Sequence, residues 1–151
     1  MNIYEYIAAD HQFVLDLFKQ FTDTSSISRK KNIVQIIYTE LTAHLESEKA
    51  TFYRALNDYH GCEAVALQGC QEHATIEHYL DLIINTEIYD SLWEYKVLKL
   101  QELMEYHVKE EETVIHNRAK KILTEQKAKE LKNVMDQYKK NSSSCKLKIP
   151  A

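Results

Sequence analysis

Two segments of the sequence carry the same pattern, a histidine followed four residues later by a glutamate. His44 and Glu48 form the first pair, and His107 and Glu111 form the second. Residues four apart on an α-helix lie on one face, about 6 Å apart along the axis, so each pair can direct an imidazole and a carboxylate at one point. Any fold for this chain must therefore place two candidate metal-binding pairs.

The scarcity of turn-forming residues restricts the fold class. The 151 residues include two glycines and one proline, and the proline, Pro150, is the last residue but one. A fold of many short strands needs more turn residues than this. The chain is predicted to be all-α, and its length suits one domain with one core.

Apolar periodicity predicts four long helices. In each, the core-facing positions recur at steps of three and four residues, which is typical of helices in a bundle. These four seams are Ile3, Ile7, His11, Val14, Phe18 and Phe21; Ile33, Ile37, Leu41, His44, Glu48, Phe52 and Leu56; Val65, Gly69, His73, Ile76, Leu80, Ile83 and Ile84; and Val97, Leu100, Met104, His107, Glu111 and Val114. We expect an up-down-up-down four-helix bundle over residues 1–140, a short fifth helix starting near Thr124, and a flexible polar tail over 141–151.

The polar residues of these seams should meet in one layer. With loops near positions 26, 60 and 89, the four seam histidines each lie 13 to 18 residues from the neighbouring loops, which is about the same level in antiparallel helices. The second and fourth helices run parallel, so their two glutamates are displaced to the same side of the histidines. Four imidazoles and two shared carboxylates suit borderline metals such as iron or zinc and favour two bridged metal ions.

The alternative to metal binding is a layer of satisfied core residues. A single histidine in a seam usually has that role. Six polar groups buried together without a metal would each lose favourable hydration, or would shift their pKa values strongly, unless all of them paired with one another. The clustering therefore favours a metal centre.

Other features of the sequence argue against several kinds of partner and cellular location. The formal net charge is −4 with acids and bases interspersed, which argues against a nucleic-acid partner bound through phosphate neutralisation. No segment has the length of apolar sequence that a membrane span needs, and the N-terminus does not resemble a signal peptide, so we expect no membrane association and a cytoplasmic location. The three cysteines have no CxxC spacing and are interpreted as reduced thiols.

Four motifs resemble those of the hemerythrin or HHE cation-binding family, over roughly residues 3 to 120. They are DHxxxL at 10–15, HLxxE at 44–48, EHxxI at 72–76 and HVxxEE at 107–112. The resemblance implies a bundle that holds two non-haem iron ions as its cofactor. It also implies that Glu48 and Glu111 bridge the irons and that the terminal ligands are His11, His44, His73 and His107.

The chain departs from the oxygen carriers of that family at two positions. Those proteins have a further histidine four residues after the third-helix ligand, where this chain has Glu77, and an aspartate five residues after the last histidine ligand, where this chain has Glu112. We expect Glu77 to be a fifth side-chain ligand or to orient an imidazole. His78 is expected at an interface or in solvent, Glu112 on the charged outer side, and His60 and His116 on the surface. No tyrosine is assigned a role.

Three functions remain open. The first is a carrier or sensor that binds a small ligand (dioxygen, nitric oxide or peroxide) and works with an unidentified redox partner. The second is a peroxide-reducing or iron-donating repair protein. The third is a metal-free helical interaction domain. We expect a binding or sensing protein rather than a dedicated enzyme.

Overall fold

The computed structural model describes the chain from Met1 to Leu147, and residues 148–151 lie outside the described range. It contains five long helical segments. These are α1, Ile3–Asp23; α2, Ile27–Glu48, extended by Lys49–Tyr53 and Arg54–Leu56; α3, Glu63–Ile84; α4, Trp93–Glu110, extended by Glu111–Ile115 and His116–Lys120; and α5, Glu125–Leu147. The described residues form no strand, so the all-α prediction is confirmed.

Local side chains explain where these helices begin and end. Asn2 and Ser26 accept hydrogen bonds from the backbone N–H groups of Glu5 and Arg29, and thus cap α1 and α2. Thr124 accepts one from the Lys127 N–H, as expected for the start of the fifth helix. Gly61 has φ +94°, which lets the chain turn between α2 and α3 without strain. The loops therefore lie close to the positions used to count the histidine levels.

Two apolar clusters make up the core, one on each side of the histidine layer. The first contains Phe18, Leu41, Leu80 and Leu100 from the four bundle helices. The second lies nearer the N-terminus of α1 and includes three residues of α5, which are Ala128, Leu131 and Met135. Each cluster shields one side of the layer from water.

The fifth helix is longer than the sequence suggests. It spans 23 residues and remains helical through 141–147, the start of the segment expected to be a flexible tail. Its apolar face packs on α1 and α2. Because that face is buried in the second cluster and no glycine or proline interrupts it, a long helix is favoured. None of the described helices is long and apolar enough to cross a membrane.

A wider, π-helical turn follows the HxxxE pair in both α2 and α4, at Lys49–Tyr53 and at Glu111–Ile115. Such turns are frequent at functional sites. A π-helical turn holds more residues than an α-helical turn, so the residues after it are rotated relative to a regular helix. Its consequence here is that Tyr53 and His116 point inward.

His116 is buried, and its expected surface position is wrong. Nine residues of regular α-helix would place it about 180° from His107, but the π-helical turn brings its ring to 2% exposure. The ring contacts Tyr4 and Phe52, at centroid distances of 5.1 and 5.6 Å. Burial lowers the pKa of His116 to about 4.

Acidification should therefore destabilise the fold through His116. Between pH 7 and pH 5 the unfolded chain binds a proton at this histidine while the folded chain does not, because its folded pKa lies below its unfolded one. The expected loss is about 2 kcal/mol of unfolding free energy. Urea unfolding of chelator-treated protein at both pH values should show a smaller loss for His116→Phe. The fully exposed His60 provides the control: if His60→Gln reduces the loss equally, His116 is not its source.

Candidate metal centre

The seam histidines and glutamates do converge in one buried layer. All six side chains are at most 1% exposed. The histidine rings form a closed circuit, with centroid distances of 5.0 Å from His11 to His44, 6.5 Å from His44 to His73, 4.8 Å from His73 to His107 and 5.8 Å from His107 to His11. The loop counting thus placed the four histidines at the right level.

The layer contains two groups of potential ligand atoms, and both glutamates belong to both groups. His11 and His44 complete one group, which we call the His11 side. His73 and His107 complete the other, the His73 side. Within each group the ligand atoms lie within 4.8 Å of one another. This spacing allows one metal ion in each group, with shared carboxylates between them.

The distances show how each carboxylate faces both sides. The Oε1 atom of Glu48 lies 2.8 Å from Nε2 of His73 and 3.7 Å from Nε2 of His44. The Oε1 atom of Glu111 lies 3.1 Å from Nε2 of His11 and 3.7 Å from Nε2 of His107. Each carboxylate therefore connects one histidine from each side, as a bridging ligand would.

Carboxylates outside the layer orient two of the imidazoles, through the same contact in each half of the chain. Nδ1 of His44 lies 2.9 Å from Asp10, and Nδ1 of His107 lies 2.6 Å from Glu72. Asp10 and Glu72 each directly precede a layer histidine, and each holds the histidine of the following helix. Such contacts fix the tautomer and leave Nε2 free to face the centre.

Glu112 orients a third imidazole, which corrects its expected position on the charged outer side. Its Oε2 atom lies 2.8 Å from Nδ1 of His11. The π-helical turn that begins at Glu111 changes the direction of the residues that follow the pair, so Glu112 reaches α1. A glutamate directly after the ligand glutamate was the only sequence signal for this contact.

His73 lacks the corresponding partner. Its Nδ1 atom is buried and has no hydrogen-bond partner among the described residues. On this side of the centre, the residue after the ligand glutamate is Lys49 rather than an acid. Besides Glu48, the His73 ring has Tyr53 as a polar neighbour, whose hydroxyl lies 3.5 Å from Nε2 and also contacts Glu111.

Sequence reasoning left Tyr53 without a role, although Gly69 is a signal for it. A Cβ atom at position 69 would overlap the Tyr53 ring, so the glycine provides the space that the ring occupies. Gly69 lies one turn before His73 in the α3 seam. A glycine at a core position next to a ligand can indicate that a large side chain from a neighbouring helix packs there.

Glu77 and His78 do not reach the layer. Both are exposed, and Glu77 belongs to neither group of ligand atoms. Glu48 and Glu111 follow their histidines on parallel helices, whereas α3 runs in the opposite direction. Four residues beyond His73 therefore lead away from the carboxylates, so the expected role of Glu77 as a ligand is not supported by its position.

The pKa values of the two carboxylates in the layer are shifted in opposite directions. Burial favours a neutral Glu48, but His44 and His73 outweigh it and hold the pKa of Glu48 well below its usual value. Burial and the neighbouring Glu48 raise the pKa of Glu111 well above its usual value. Two carboxylates this close cannot both be ionised cheaply without cations.

The pKa values of the histidines are also shifted in opposite directions. Burial opposes protonation of His11, but its contacts with Glu111 and Glu112 raise its pKa to about 10. Burial lowers the pKa of His107 to about 4 and also lowers that of His44. Neutral imidazoles are the form that binds metal, so His107 and His44 are ready ligands, whereas His11 would release a proton.

The donor atoms of the layer suit bound metal ions. Nε2 of His11, His44 and His107 and oxygens of both glutamates are buried without a hydrogen bond of acceptable geometry in the described structure. Buried polar atoms are rarely left without partners. Nitrogen and oxygen donors that converge in this way suit iron or zinc.

The fold and the site define a helical bundle with a buried histidine and glutamate layer that can bind metal. A structure from Mycobacterium kansasii, of a protein described as containing a hemerythrin HHE cation-binding domain, has this fold. The TM-score is 0.78 at 20% identity, over 95% of this chain and 91% of that one. The chain therefore has the fold of a hemerythrin HHE cation-binding domain, as its motifs predict.

The sequence comparison gives a second relation. A Nostoc protein (strain PCC 7120) named DNA nickase is 30% identical over 138 residues, which are 87% of this chain and 38% of that protein. The chain thus spans less than two fifths of this curated relative. No protein-family model matches the sequence.

Removing one orienting carboxylate should weaken metal binding without unfolding the protein. Asp10→Asn and Glu72→Gln keep the size of each side chain but remove the charge that holds His44 or His107. Outer contacts of this kind are typically worth a factor of about 10 to 100 in metal affinity. Cobalt(II) titrations followed by visible absorption should show that loss in each variant. Glu40→Gln, at an exposed position of α2, should bind as the parent does, and equal binding by all four proteins would contradict the orienting role.

Proposed function

We propose that this chain is a non-haem di-iron protein that binds or reacts with a small ligand, namely dioxygen, nitric oxide or a peroxide. One iron would bind to His11 and His44 and the other to His73 and His107. Glu48 and Glu111 would bridge them. The observation that supports this most is that two groups of ligand atoms share both carboxylates.

The arrangement of protein groups supports a reactive rather than a purely structural site. Each group supplies two imidazoles and two shared carboxylates, fewer than the six donors of an octahedral ion, so positions remain for an exogenous ligand. Bound irons would supply the redox chemistry and the open coordination positions. The protein would contribute the orientation of the imidazoles, through Asp10, Glu72 and Glu112, and the exclusion of bulk water by two apolar clusters.

The role as a carrier or sensor is favoured over a dedicated enzyme. Among the described residues, Tyr53 has a hydroxyl directed at the layer, from which a proton could reach a bound ligand. The position where oxygen carriers of the family have a further histidine is the exposed Glu77. A peroxide-reducing or iron-donating repair function is the alternative, since fewer imidazoles would leave the irons more open to reaction.

DNA is not part of this proposal. The name of the Nostoc relative concerns a protein of which this chain spans 38%. The formal net charge of −4 offers little affinity for phosphate backbones. We therefore propose no nucleic-acid partner.

Metal analysis tests the ligand assignment. Protein purified without chelator should contain close to two irons per chain, because the layer has two groups of ligand atoms. Glu48→Ala and Glu111→Ala should each lose most of the iron, since one carboxylate serves both positions. Glu77→Ala removes a glutamate of similar sequence context but exposed position, and it should keep the parental content. An iron-free parent that is folded, or equal iron in all three variants, would refute the assignment.

Exposure of the reduced protein to oxygen distinguishes carrier from repair protein. A carrier should develop a charge-transfer band that persists and then disappears reversibly when oxygen is removed. A peroxide-reducing or repair protein should show a transient band that decays to the oxidised form within the same experiment. Stopped-flow absorption spectroscopy on the iron-loaded protein measures both. A reduced protein that shows no spectral change with oxygen, nitric oxide or peroxide would contradict ligand binding altogether.

A further inference from the structure

A cleft of about 480 Å³ opens between α2 and α3, and Tyr138 of α5 also borders it. Exposed polar side chains from α2 and α3 surround it, among them Lys49, Arg54 and Glu77, and the Cys70 thiol lies in its wall. Tyr53 also borders the cleft, although its own side chain is only 1% exposed. The cleft therefore reaches Tyr53, whose side chain is itself covered.

The same ring reaches the histidine layer from its other end. Its hydroxyl contacts Glu111 and lies 3.5 Å from Nε2 of His73. A single side chain thus separates the cleft from the potential ligand atoms. By contrast, a larger cavity, of about 700 Å³, is bordered by Val34, Ile83 and Trp93 and touches no residue of the layer.

The internal repeat shows that this arrangement occurs where α2 meets α3 and not at the equivalent meeting of α4 with α1. Lys49 corresponds to Glu112 of α4, which is hydrogen-bonded to His11 of α1. Tyr53 corresponds to His116, which packs between aromatic rings rather than against the layer. Gly69, which makes room for the tyrosine ring, corresponds to the fully buried Ile7. The sequence differences between the halves thus coincide with the cleft.

We propose that this cleft is the entry route for the exogenous ligand, that the Tyr53 ring is its inner gate, and that the ligand first meets the metal position held by His73 and His107. This inference rests on the proposed function. The missing carboxylate partner of His73 supports it, because an imidazole held by fewer contacts can accommodate a new ligand at its metal with less rearrangement.

The charges of the cleft specify the class of ligand. Its exposed side chains include two cations, Lys49 and Arg54, and two anions, Glu46 and Glu77. These charges balance, so the cleft concentrates neither anions nor cations. A small uncharged ligand, no larger than hydrogen peroxide or nitric oxide, fits such an entrance and the narrow space beside a tyrosine ring.

Chemical blocking of Cys70 tests the route. In a Cys145→Ser background, the remaining thiols are Cys70, in the cleft, and Cys62, which is fully buried. Methanethiosulfonate reagents of increasing size would form a mixed disulfide with Cys70 of the iron-loaded protein, which adds a methylthio or a benzylthio group and releases methanesulfinate. The association rate constant of nitric oxide with the reduced centre, followed by absorption and EPR, should fall with adduct size, by about tenfold or more for the benzyl group.

A second probe uses stoichiometric oxidation. Hydrogen peroxide takes one electron from each of two ferrous ions and, with two protons, gives two waters and two ferric ions. The rate of this single oxidation should fall with adduct size in the same order, while the iron content stays near two per chain.

The matched control places the thiol at the equivalent position of the other half. Ala8 lies three residues before His11, as Cys70 lies three residues before His73, and it is also partly exposed. Ala8→Cys combined with Cys70→Ser should give adducts that leave both rate constants within about twofold. Equal slowing from both positions, or no slowing from Cys70 in iron-replete protein, would overturn the entry route and leave the di-iron proposal intact. Failure to bind iron at all would instead overturn the di-iron proposal.

Tyr53→Ala tests the gate itself. Removal of the ring should raise both rate constants severalfold in protein that retains iron. Tyr53→Phe serves where the alanine variant does not fold, and it keeps the ring while removing the contacts with Glu111 and His73, so a smaller increase is expected. Unchanged rates in iron-replete Tyr53→Phe and Tyr53→Ala proteins would exclude Tyr53 as the gate.

Discussion

The cost of burying four imidazoles and two carboxylates in one layer is the constraint on which the rest of the structure depends. Water is excluded from this layer by apolar residues on both sides. The ring nitrogens and carboxylate oxygens therefore need partners within the protein or a bound cation, and Nδ1 of His73 is the ring nitrogen on the outer side of the layer that has none among the described residues. The orienting carboxylates, the opposed pKa shifts of Glu48 and Glu111, and the regular helix lengths between the loops all follow from this requirement.

The sequence predicted the layer because helical periodicity and loop positions are both simple geometry. It could not predict the directions of Glu112, Tyr53 and His116, because those depend on two π-helical turns that no residue pattern announces. The position of Glu77, outside the layer, has another explanation. Spacing relative to His73 was considered, but the direction of α3 relative to α2 and α4 decides on which side of the histidines a residue four positions later lies.

The internal repeat separates the residues of the buried layer from those proposed to control access to it. Both halves have the histidine pair, the buried glutamate and the acid that orients the histidine of the next helix, so these features serve a task common to both groups of ligand atoms. The halves differ at Lys49 and Glu112 and at Tyr53 and His116. Since these differences surround the layer without changing its histidines or glutamates, they can alter how a small molecule approaches while both groups of potential ligand atoms are preserved.

Contacts with the same network of orienting carboxylates explain the length of the fifth helix. Lys139 of α5 forms an ion pair with Asp10, the carboxylate that orients His44, and its ammonium also lies over the Tyr6 ring. The Tyr6 hydroxyl in turn donates a hydrogen bond to Asp136, one turn earlier on α5. Asp10 thus connects the helix to a ligand histidine, and a bundle of four helices alone would leave this carboxylate more exposed to water. The length of α5 beyond residue 135 is therefore part of how the His11 side is held in place.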